Sequence, residues 1–233
     1  MRLPTPAGPA EMGVSDGLAY SLWLPEDRAP GGGVVVLHGA GSRKENHHDM
    51  ARAARSAGLA AVCFDMRGHG ASPGVLDARA LDDVSVAARL LPGGPIALRG
   101  SSMGGFVAIA AAASVGAAAV VAVCPAGSEH LLRGLRTGDL DFPADRAALE
   151  PLLAATDLEA IVAASAVPLL LLHAEGDERI PAAHSRELHR RSAAEFKRLI
   201  VLPGGHHRSI QHDEELQGES LRFIHRAFAA ASS

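Results

Sequence analysis

The chain has 233 residues, of which 48% are apolar and 21% are charged, and its formal net charge is −4. This composition is typical of a soluble globular protein with one sizeable core, so we predict a single domain spanning residues 1–233. The small negative charge gives no sign of a nucleic-acid partner or of binding to a charged membrane surface.

No long apolar segment follows the N-terminal stretch from Met1 to Pro6, so neither a signal peptide nor a membrane span is predicted. The two cysteines, Cys63 and Cys124, lie inside apolar runs. We therefore predict that both are buried free thiols, which is consistent with a cytoplasmic location.

Short apolar strands alternate with helices along most of the chain. Asp16-Gly17 is a hairpin signal. Strands are predicted at residues 18–24, 34–37, 60–64, 96–98, 118–123, 169–172 and 199–202, and helices at residues 46–57, 81–91, 103–113, 182–193 and 213–230. Apolar strands without polar alternation suit a parallel sheet, and the strand–helix alternation predicts an α/β fold with helices on both faces of that sheet.

The alternation is interrupted at about residues 126–167, between the strand that ends near Cys124 and the strand that begins at Leu169. Two or three short helices are predicted there, including residues 145–154 and 158–164. The segment is longer than an ordinary connection between parallel strands. We predict a small helical cap over the carboxyl edge of the sheet, where ligands bind.

The pentapeptide Gly100-Ser101-Ser102-Met103-Gly104 lies between an apolar strand and a predicted helix. A Gly-x-Ser-x-Gly sequence in this context is typical of a nucleophile elbow, in which the central serine is held exposed on a sharp turn. Ser102 is therefore the candidate nucleophile. The backbone N–H of Met103, at the start of the helix, is a candidate donor to a developing oxyanion.

A second match, Gly70-Ala71-Ser72-Pro73-Gly74, serves as an internal control. Pro73 has no N–H to offer an oxyanion, and the residues after it read as a loop rather than a helix. The context therefore favours Ser102 over Ser72.

A serine nucleophile needs a base, and the base needs an orienting acid. Asp177 follows a buried strand on a glycine-containing turn and is the candidate acid, although it could instead only cap the next helix. His206 and His207 follow Pro203-Gly204-Gly205 after another strand, and one of them is the candidate base. The amide of Ala40, on the glycine-rich loop after the first long central strand, is the candidate second oxyanion donor.

Adjacent histidines also raise the alternative of a zinc site formed with His47 and His48. This alternative is weak, because neighbouring histidines on a loop seldom face one point and no helical ligand spacing supports it. No metal is therefore expected, and no cofactor either.

Five motifs occur in a fixed order: His38-Gly39-Ala40-Gly41, Asp65-Met66-Arg67-Gly68-His69-Gly70-Ala71-Ser72, Gly100-Ser101-Ser102-Met103-Gly104-Gly105, Glu175-Gly176-Asp177-Glu178-Arg179-Ile180-Pro181 and Gly204-Gly205-His206-His207-Arg208. Together they resemble the α/β-hydrolase superfamily over roughly residues 19–230. The chain is most similar to the serine-hydrolase branch of small bacterial carboxylesterases, cinnamoyl-type esterases and monoacylglycerol lipases.

The resemblance implies the α/β-hydrolase fold, with Ser102 as nucleophile, Asp177 as acid, and the Ala40 and Met103 amides as oxyanion donors. The histidine motif of the branch, Gly-x-x-His, aligns with Gly204 to His207 and selects His207 as the base. The motif that begins at Asp65 is structural in the family, so its residues are not expected to be catalytic.

The expected function is hydrolysis of a small-molecule carboxylic ester through an acyl-enzyme. The insertion has a single aromatic residue, Phe142, and offers instead Leu131, Leu132, Leu135, Leu140, Leu149, Leu152 and Leu153. This composition favours a small or aliphatic acyl group over an aryl group. Thioesterase, acyltransferase, peptidase and cofactor-free haloperoxidase activities would use the same triad, and Arg133 and Arg136 are candidates for binding an acyl-CoA. A non-catalytic binding protein on this scaffold is the alternative from another class. A dinucleotide-binding enzyme is disfavoured, because the loop that begins at His38 does not complete Gly-x-Gly-x-x-Gly.

Overall fold

A computed structural model describes residues 8–140 and 142–231; Met1 to Pro6, on which the absence of a signal peptide was predicted, lie outside this range. The strands are β1 (Glu11–Ser15), β2 (Leu18–Trp23), β3 (Gly33–Leu37), β4 (Ala60–Phe64), β5 (Ile96–Ser101), β6 (Ala119–Val123), β7 (Leu169–Ala174) and β8 (Lys197–Leu202). The helices are α1 (His48–Ser56), α2 (Asp82–Ala88), α3 (Met103–Ala111), α4 (Ser128–Thr137), α5 (Arg146–Ala155), α6 (Leu158–Ala164), α7 (Ala182–Arg191) and α8 (Glu214–Ala231).

The eight strands form one sheet in the order β1-β2-β4-β3-β5-β6-β7-β8. The first two strands form the predicted hairpin at Asp16-Gly17, and β2 also runs antiparallel to β4. All other neighbours are parallel; Val35 of β3, for example, pairs with Val62 on one side and with Leu98 on the other. This arrangement confirms the predicted mostly parallel sheet of an α/β-hydrolase fold.

The central strands are buried on both faces because their sequences are apolar throughout. On one face, Val34 and Val36 of β3 pack in a core with residues of α1 and α8 such as Met50 and Ile224. On the other face, Leu37 packs in a second core with residues of α2, α3 and the insertion. Both cores fix the strand ends, and with them the loops at the carboxyl edge of the sheet.

Two helices end earlier than the sequence predicts. Helix α2 stops at Ala88 rather than near residue 91, and the chain then turns through Gly93 and Gly94, whose φ angles are 101° and 84°. Helix α3 stops at Ala111, so the alanine-rich segment 108–122 contains a turn before β6. In both segments a glycine with positive φ follows the helix and lets the chain reverse.

Three helices form the connection between β6 and β7, at the place predicted for the cap. Helices α4 and α5 pack against each other over the sheet edge, and a bridge between Leu76 and Ala144 ties the segment before α5 to the body of the protein. Helix α6 packs against α3 and α7 and covers a face of the sheet. Of the three described helices in this connection, α4 and α5 therefore extend over the carboxyl edge and α6 does not.

Both cysteines are buried and free, as predicted. Among the described residues, no helix combines the length and apolar character that a membrane crossing requires.

Candidate active site

Ser102 lies on a sharp turn between β5 and α3, with φ 54° and ψ −118°, a conformation that non-glycine residues rarely adopt. The flanking glycines leave no room for side chains. A Cβ on Gly100 would lie 2.0 Å from the carbonyl oxygen of Gly104, and a Cβ on Gly104 would lie 2.4 Å from that of Leu37. The turn packs this closely against β3, so the predicted elbow geometry depends on these two glycines.

Ser72, the control serine, occupies a different environment. It is buried, and its Oγ accepts a hydrogen bond from the Ala19 amide at 2.9 Å and donates one to the Asp65 carbonyl oxygen at 2.7 Å. A hydroxyl engaged in this way ties the loop to β2, which is a structural contact.

Three predicted side chains form a continuous line at the carboxyl edge. Ser102 Oγ lies 2.9 Å from His207 Nε2, and His207 Nδ1 lies 2.7 Å from Asp177 Oδ2. A carboxylate only accepts hydrogen bonds, so Nδ1 carries the ring proton and Nε2 can accept from the serine hydroxyl. His206 is exposed, and its Nδ1 faces the amide of Arg208 at 3.3 Å, away from this line.

Asp177 uses its two oxygens differently. Oδ1 accepts from the amides of Arg179 and Ile180, each at 2.9 Å, while Oδ2 faces His207. Burial by itself would raise the pKa of this carboxyl, but the hydrogen bonds from His173, His207 and these two amides outweigh burial and hold the pKa well below its usual range. Asp177 is therefore ionised at any ordinary pH. Asp177 also plays the capping role that was considered as the alternative, because Oδ1 accepts from the backbone amides that follow it.

His173 supports Asp177 and was not singled out from the sequence. Its Nε2 lies 3.4 Å from Asp177 Oδ2 and donates to the Ile180 carbonyl oxygen at 2.9 Å, while its Nδ1 lies 2.7 Å from Ser185 Oγ. A histidine inside an otherwise apolar strand, four residues before the candidate acid, was the available signal.

Among the described residues, one group of side chains could hold a metal ion, with its ligand atoms within 4.8 Å of one another: Cys124, His173 and Asp177. The group fits a metal poorly. Burial raises the pKa of the Cys124 thiol to about 12, which disfavours the thiolate that a metal needs, and both ring nitrogens of His173 already have partners. Within the described chain, His47, His48, His206 and His207 do not form a ligand group, so nothing favours the zinc alternative.

The predicted oxyanion donors lie beside Ser102. The amides of Ala40 and Met103 have no hydrogen-bond acceptor among the described residues. Gly39 approaches so closely that a Cβ there would lie 3.3 Å from the Cβ of Ser102. His38 fastens this loop, because its Nδ1 donates to the Gly39 carbonyl oxygen at 2.8 Å and its Nε2 accepts from the Met66 amide at 3.0 Å.

A cleft of about 500 Å³ opens above Ser102 and His207, between the Ala40 loop and helix α4. A second, apolar cavity of about 30 Å³ lies behind it, between α3 and the α4–α5 pair, and shares Leu131 and Leu140 with the cleft. Met103 lines this second cavity. We call the second space the leucine cavity.

Charged side chains surround the cleft. Arg133 on α4 lines it, together with Arg179 and Arg208, which follow the candidate acid and base. Arg136, the other predicted basic residue, instead pairs with Glu150 at 3.1 Å. Glu178 also lines the cleft, and its Oε2 accepts from the His207 amide at 3.1 Å. Arg179 and Arg208 were missed from the sequence, although each lies on a loop at the carboxyl edge.

This sheet, with a serine elbow facing a histidine and an aspartate on successive strand ends, defines the α/β-hydrolase class of protein. Residues 34–162 match the model of the Alpha/beta hydrolase family. The chain is also 30% identical over 252 residues to the monoacylglycerol lipase of Mycolicibacterium smegmatis, a match that covers 85% of this chain and 88% of that protein. The chain therefore belongs to the alpha/beta hydrolase family.

Solved structures share its fold at low sequence identity. Est1E from Butyrivibrio proteoclasticus, solved with ferulic acid bound, superposes with a TM-score of 0.76 at 20% identity, covering 94% of this chain and 100% of Est1E. A monoacylglycerol lipase from Paleococcus ferrophilus gives a TM-score of 0.71 at 20% identity, covering 91% and 98% of the two chains. At this identity the likeness establishes the fold.

Proposed function

We propose that this protein is a serine hydrolase that cleaves carboxylic esters with a small or aliphatic acyl group, within one domain of residues 1–233 and a small cap at about 126–167. The observation that carries the proposal is the hydrogen-bonded line from Ser102 through His207 to Asp177. That line gives a serine hydroxyl the base it needs, and gives the base a fixed tautomer.

In the first half of the reaction, Ser102 Oγ attacks the acyl carbon while His207 Nε2 takes the hydroxyl proton. The charge that develops on the carbonyl oxygen is stabilised by the amides of Ala40 and Met103, which have no acceptor in the described structure. The imidazolium lies against the Asp177 carboxylate. When the tetrahedral intermediate collapses, the bond to the alcohol breaks, and His207 transfers its proton to the alcohol oxygen.

In the second half, a water molecule takes the place of the departed alcohol. His207 removes a proton from it as it attacks the acyl-enzyme, and the bond to Ser102 breaks. The carboxylic acid leaves, and the proton returns to Ser102 Oγ. Both halves use the same three side chains and the same two amides.

The leucine cavity supports an aliphatic acyl group. Its lining is apolar throughout and includes five leucines of α4 and α5, together with Met103, Phe106 and Phe142. The relative from Mycolicibacterium smegmatis is a monoacylglycerol lipase, which is consistent with an ester of an aliphatic acid. The neighbour Est1E binds ferulic acid, an aromatic acid, and differs in this respect.

Replacing Ser102 with alanine tests the proposal. We expect turnover of p-nitrophenyl butyrate to fall by about 10⁴–10⁶ and covalent labelling by a fluorophosphonate to disappear, while circular dichroism stays unchanged. The matched control is Ser72→Ala in the second Gly-x-Ser-x-Gly sequence. It removes two buried hydrogen bonds and lowers stability by about 1–3 kcal/mol, yet the folded fraction still takes the label. Labelling of the Ser102→Ala protein, or full activity in it, would overturn the proposal.

A further inference from the structure

Positive charge is concentrated at the mouth of the cleft. Arg133, Arg179 and Arg208 all line it, although they come from three separate segments of the chain. The whole chain carries a net charge of −4, so this local excess runs against the overall balance. These three arginines outnumber the two carboxylates that line the cleft, Glu178 and Asp139, and an excess of positive charge attracts an anionic ligand.

Several arginines elsewhere on the surface are paired with carboxylates, whereas the guanidinium groups on the cleft are largely unpaired. Arg186, Arg190, Arg198 and Arg222 each pair with a glutamate at 2.5–2.7 Å. Within the part of the chain that the structure describes, the guanidinium groups of Arg133 and Arg208 have no carboxylate partner, and Arg179 reaches only Glu178, at 4.0 Å.

The two carboxylates on the cleft keep their charge, but each also accepts a hydrogen bond from a neutral neighbour. Glu178 accepts the amide of His207 at 3.1 Å. Asp139 accepts the hydroxyl of Thr137 at 2.6 Å. Three arginines therefore face the cleft with most of their donors unused, and guanidinium groups bind phosphate and carboxylate oxygens in a planar, two-donor geometry.

The reaction mechanism determines which part of the substrate, the alcohol or the acyl group, lies near these arginines. His207 must hand its proton to the leaving oxygen, so the alcohol part of the ester lies on the His207 side of the cleft. Arg208 follows this base directly, and Arg179 lies two residues after Asp177. We place the acyl part in the leucine cavity, which adjoins the cleft at Leu131 and Leu140.

We propose that the physiological ester has a leaving alcohol that carries an anionic group, a phosphate or a carboxylate, and that Arg133 and Arg208, aided by Arg179, bind this group. The inference rests on the proposed ester hydrolysis, since that reaction determines which side of the substrate faces His207. It assigns the charged end of the substrate to the cleft mouth and the apolar end to the leucine cavity.

The first experiment compares two esters that differ in one charge, 4-carboxyphenyl butyrate and its neutral amide analogue, 4-carbamoylphenyl butyrate. We expect kcat/KM to be about tenfold higher for the charged ester at low salt, which corresponds to about 1.4 kcal/mol, and the ratio to fall as salt is added. In the double variant Arg133→Gln/Arg208→Gln the ratio should fall to about one. The control Arg136→Gln, on the same helix but paired with Glu150, should keep the ratio of the wild type.

A second pair, 1-butyrylglycerol 3-phosphate and 1-butyrylglycerol, separates phosphate from carboxylate as the preferred anion. Butyryl-CoA, followed by thiol release, tests a phosphate-bearing thiol as the leaving group. Equal kcat/KM for charged and neutral partners in both pairs, or a preference that survives in the double variant, overturns the inference and leaves the ester hydrolase intact.

Binding provides a readout that does not depend on turnover. In the Ser102→Ala protein, calorimetry should give a Kd about tenfold lower for 4-carboxyphenyl butyrate than for its amide analogue, and the double variant should abolish the difference. Absence of turnover of every ester by the wild type would refute the proposed function, while equal Kd values in the Ser102→Ala protein would refute the anion site.

Discussion

Substitution of Asp177 by asparagine tests how the acid controls its histidine. The backbone amides of Arg179 and Ile180 both donate to Oδ1, so the asparagine must keep its carbonyl oxygen in that position. Its NH₂ group then takes the place of Oδ2, 2.7 Å from Nδ1 of His207. An NH₂ group only donates, and it forces the ring proton of His207 from Nδ1 to Nε2. The nitrogen that faces Ser102 then carries a proton and cannot act as a base.

The expected loss follows from that tautomer. Holding the wrong tautomer removes general-base catalysis while the oxyanion donors and the cleft remain, so kcat should fall by about 10⁴, or about 5.4 kcal/mol of transition-state stabilisation, with little change in KM. Exchange of charged hydrogen bonds for neutral ones should lower the free energy of unfolding by only about 1–3 kcal/mol.

The assay is steady-state hydrolysis of p-nitrophenyl butyrate, with urea unfolding measured in parallel. Asp157→Asn is the matched control. Asp157 Oδ1 caps α6 by accepting from Glu159 at 3.0 Å and Ala160 at 3.1 Å, the same two contacts without a histidine. It should keep the activity of the wild type. A loss below tenfold in Asp177→Asn, or a similar loss in both variants, would refute the tautomer argument.

Two further predictions concern histidines. His207→Ala should reduce kcat by about 10⁴–10⁶ in the same assay, whereas His206→Ala, which removes an exposed ring, should have little effect; the opposite order would make His206 the base. Burial lowers the pKa of His38 to about 4 and that of His47 to about 3, both below the value of about 6.5 in an unfolded chain. At these two sites the unfolded state binds more protons below pH 6.5, so their contribution to stability should be constant above about pH 7 and should fall as the pH drops, by up to about 1.4 kcal/mol per pH unit for each histidine. His47→Leu removes a buried ring without hydrogen-bond partners in the described structure and should flatten this slope in urea unfolding between pH 8 and pH 5; an unchanged slope would contradict the assignment.

The sheet was the most predictable part of the molecule. Its central strands are apolar on both faces, and the glycines after them mark their ends, so local pattern and tertiary position agree. The lengths of α2 and α3 were predicted less well, because apolar or alanine-rich sequence continues past Ala88 and Ala111 into turns that only tertiary packing sets.

The site was predictable as far as its residues follow strands. Ser102, Asp177 and His207 were expected at strand ends, and they lie together there; their roles stay predictions until the variants are measured. The contacts around these three residues were not predictable, because they depend on the direction in which neighbouring side chains point. Nothing in the sequence says that His173 turns towards Asp177, or that Arg136 turns away from the cleft while Arg133 lines it.

At position 102, catalysis requires a serine, whereas the backbone conformation would be less strained with a glycine. With φ at 54° and ψ at −118°, any residue with a Cβ is strained there by about 1–3 kcal/mol, and glycine is not. Glycine at this position would thus make the protein more stable and remove its nucleophile.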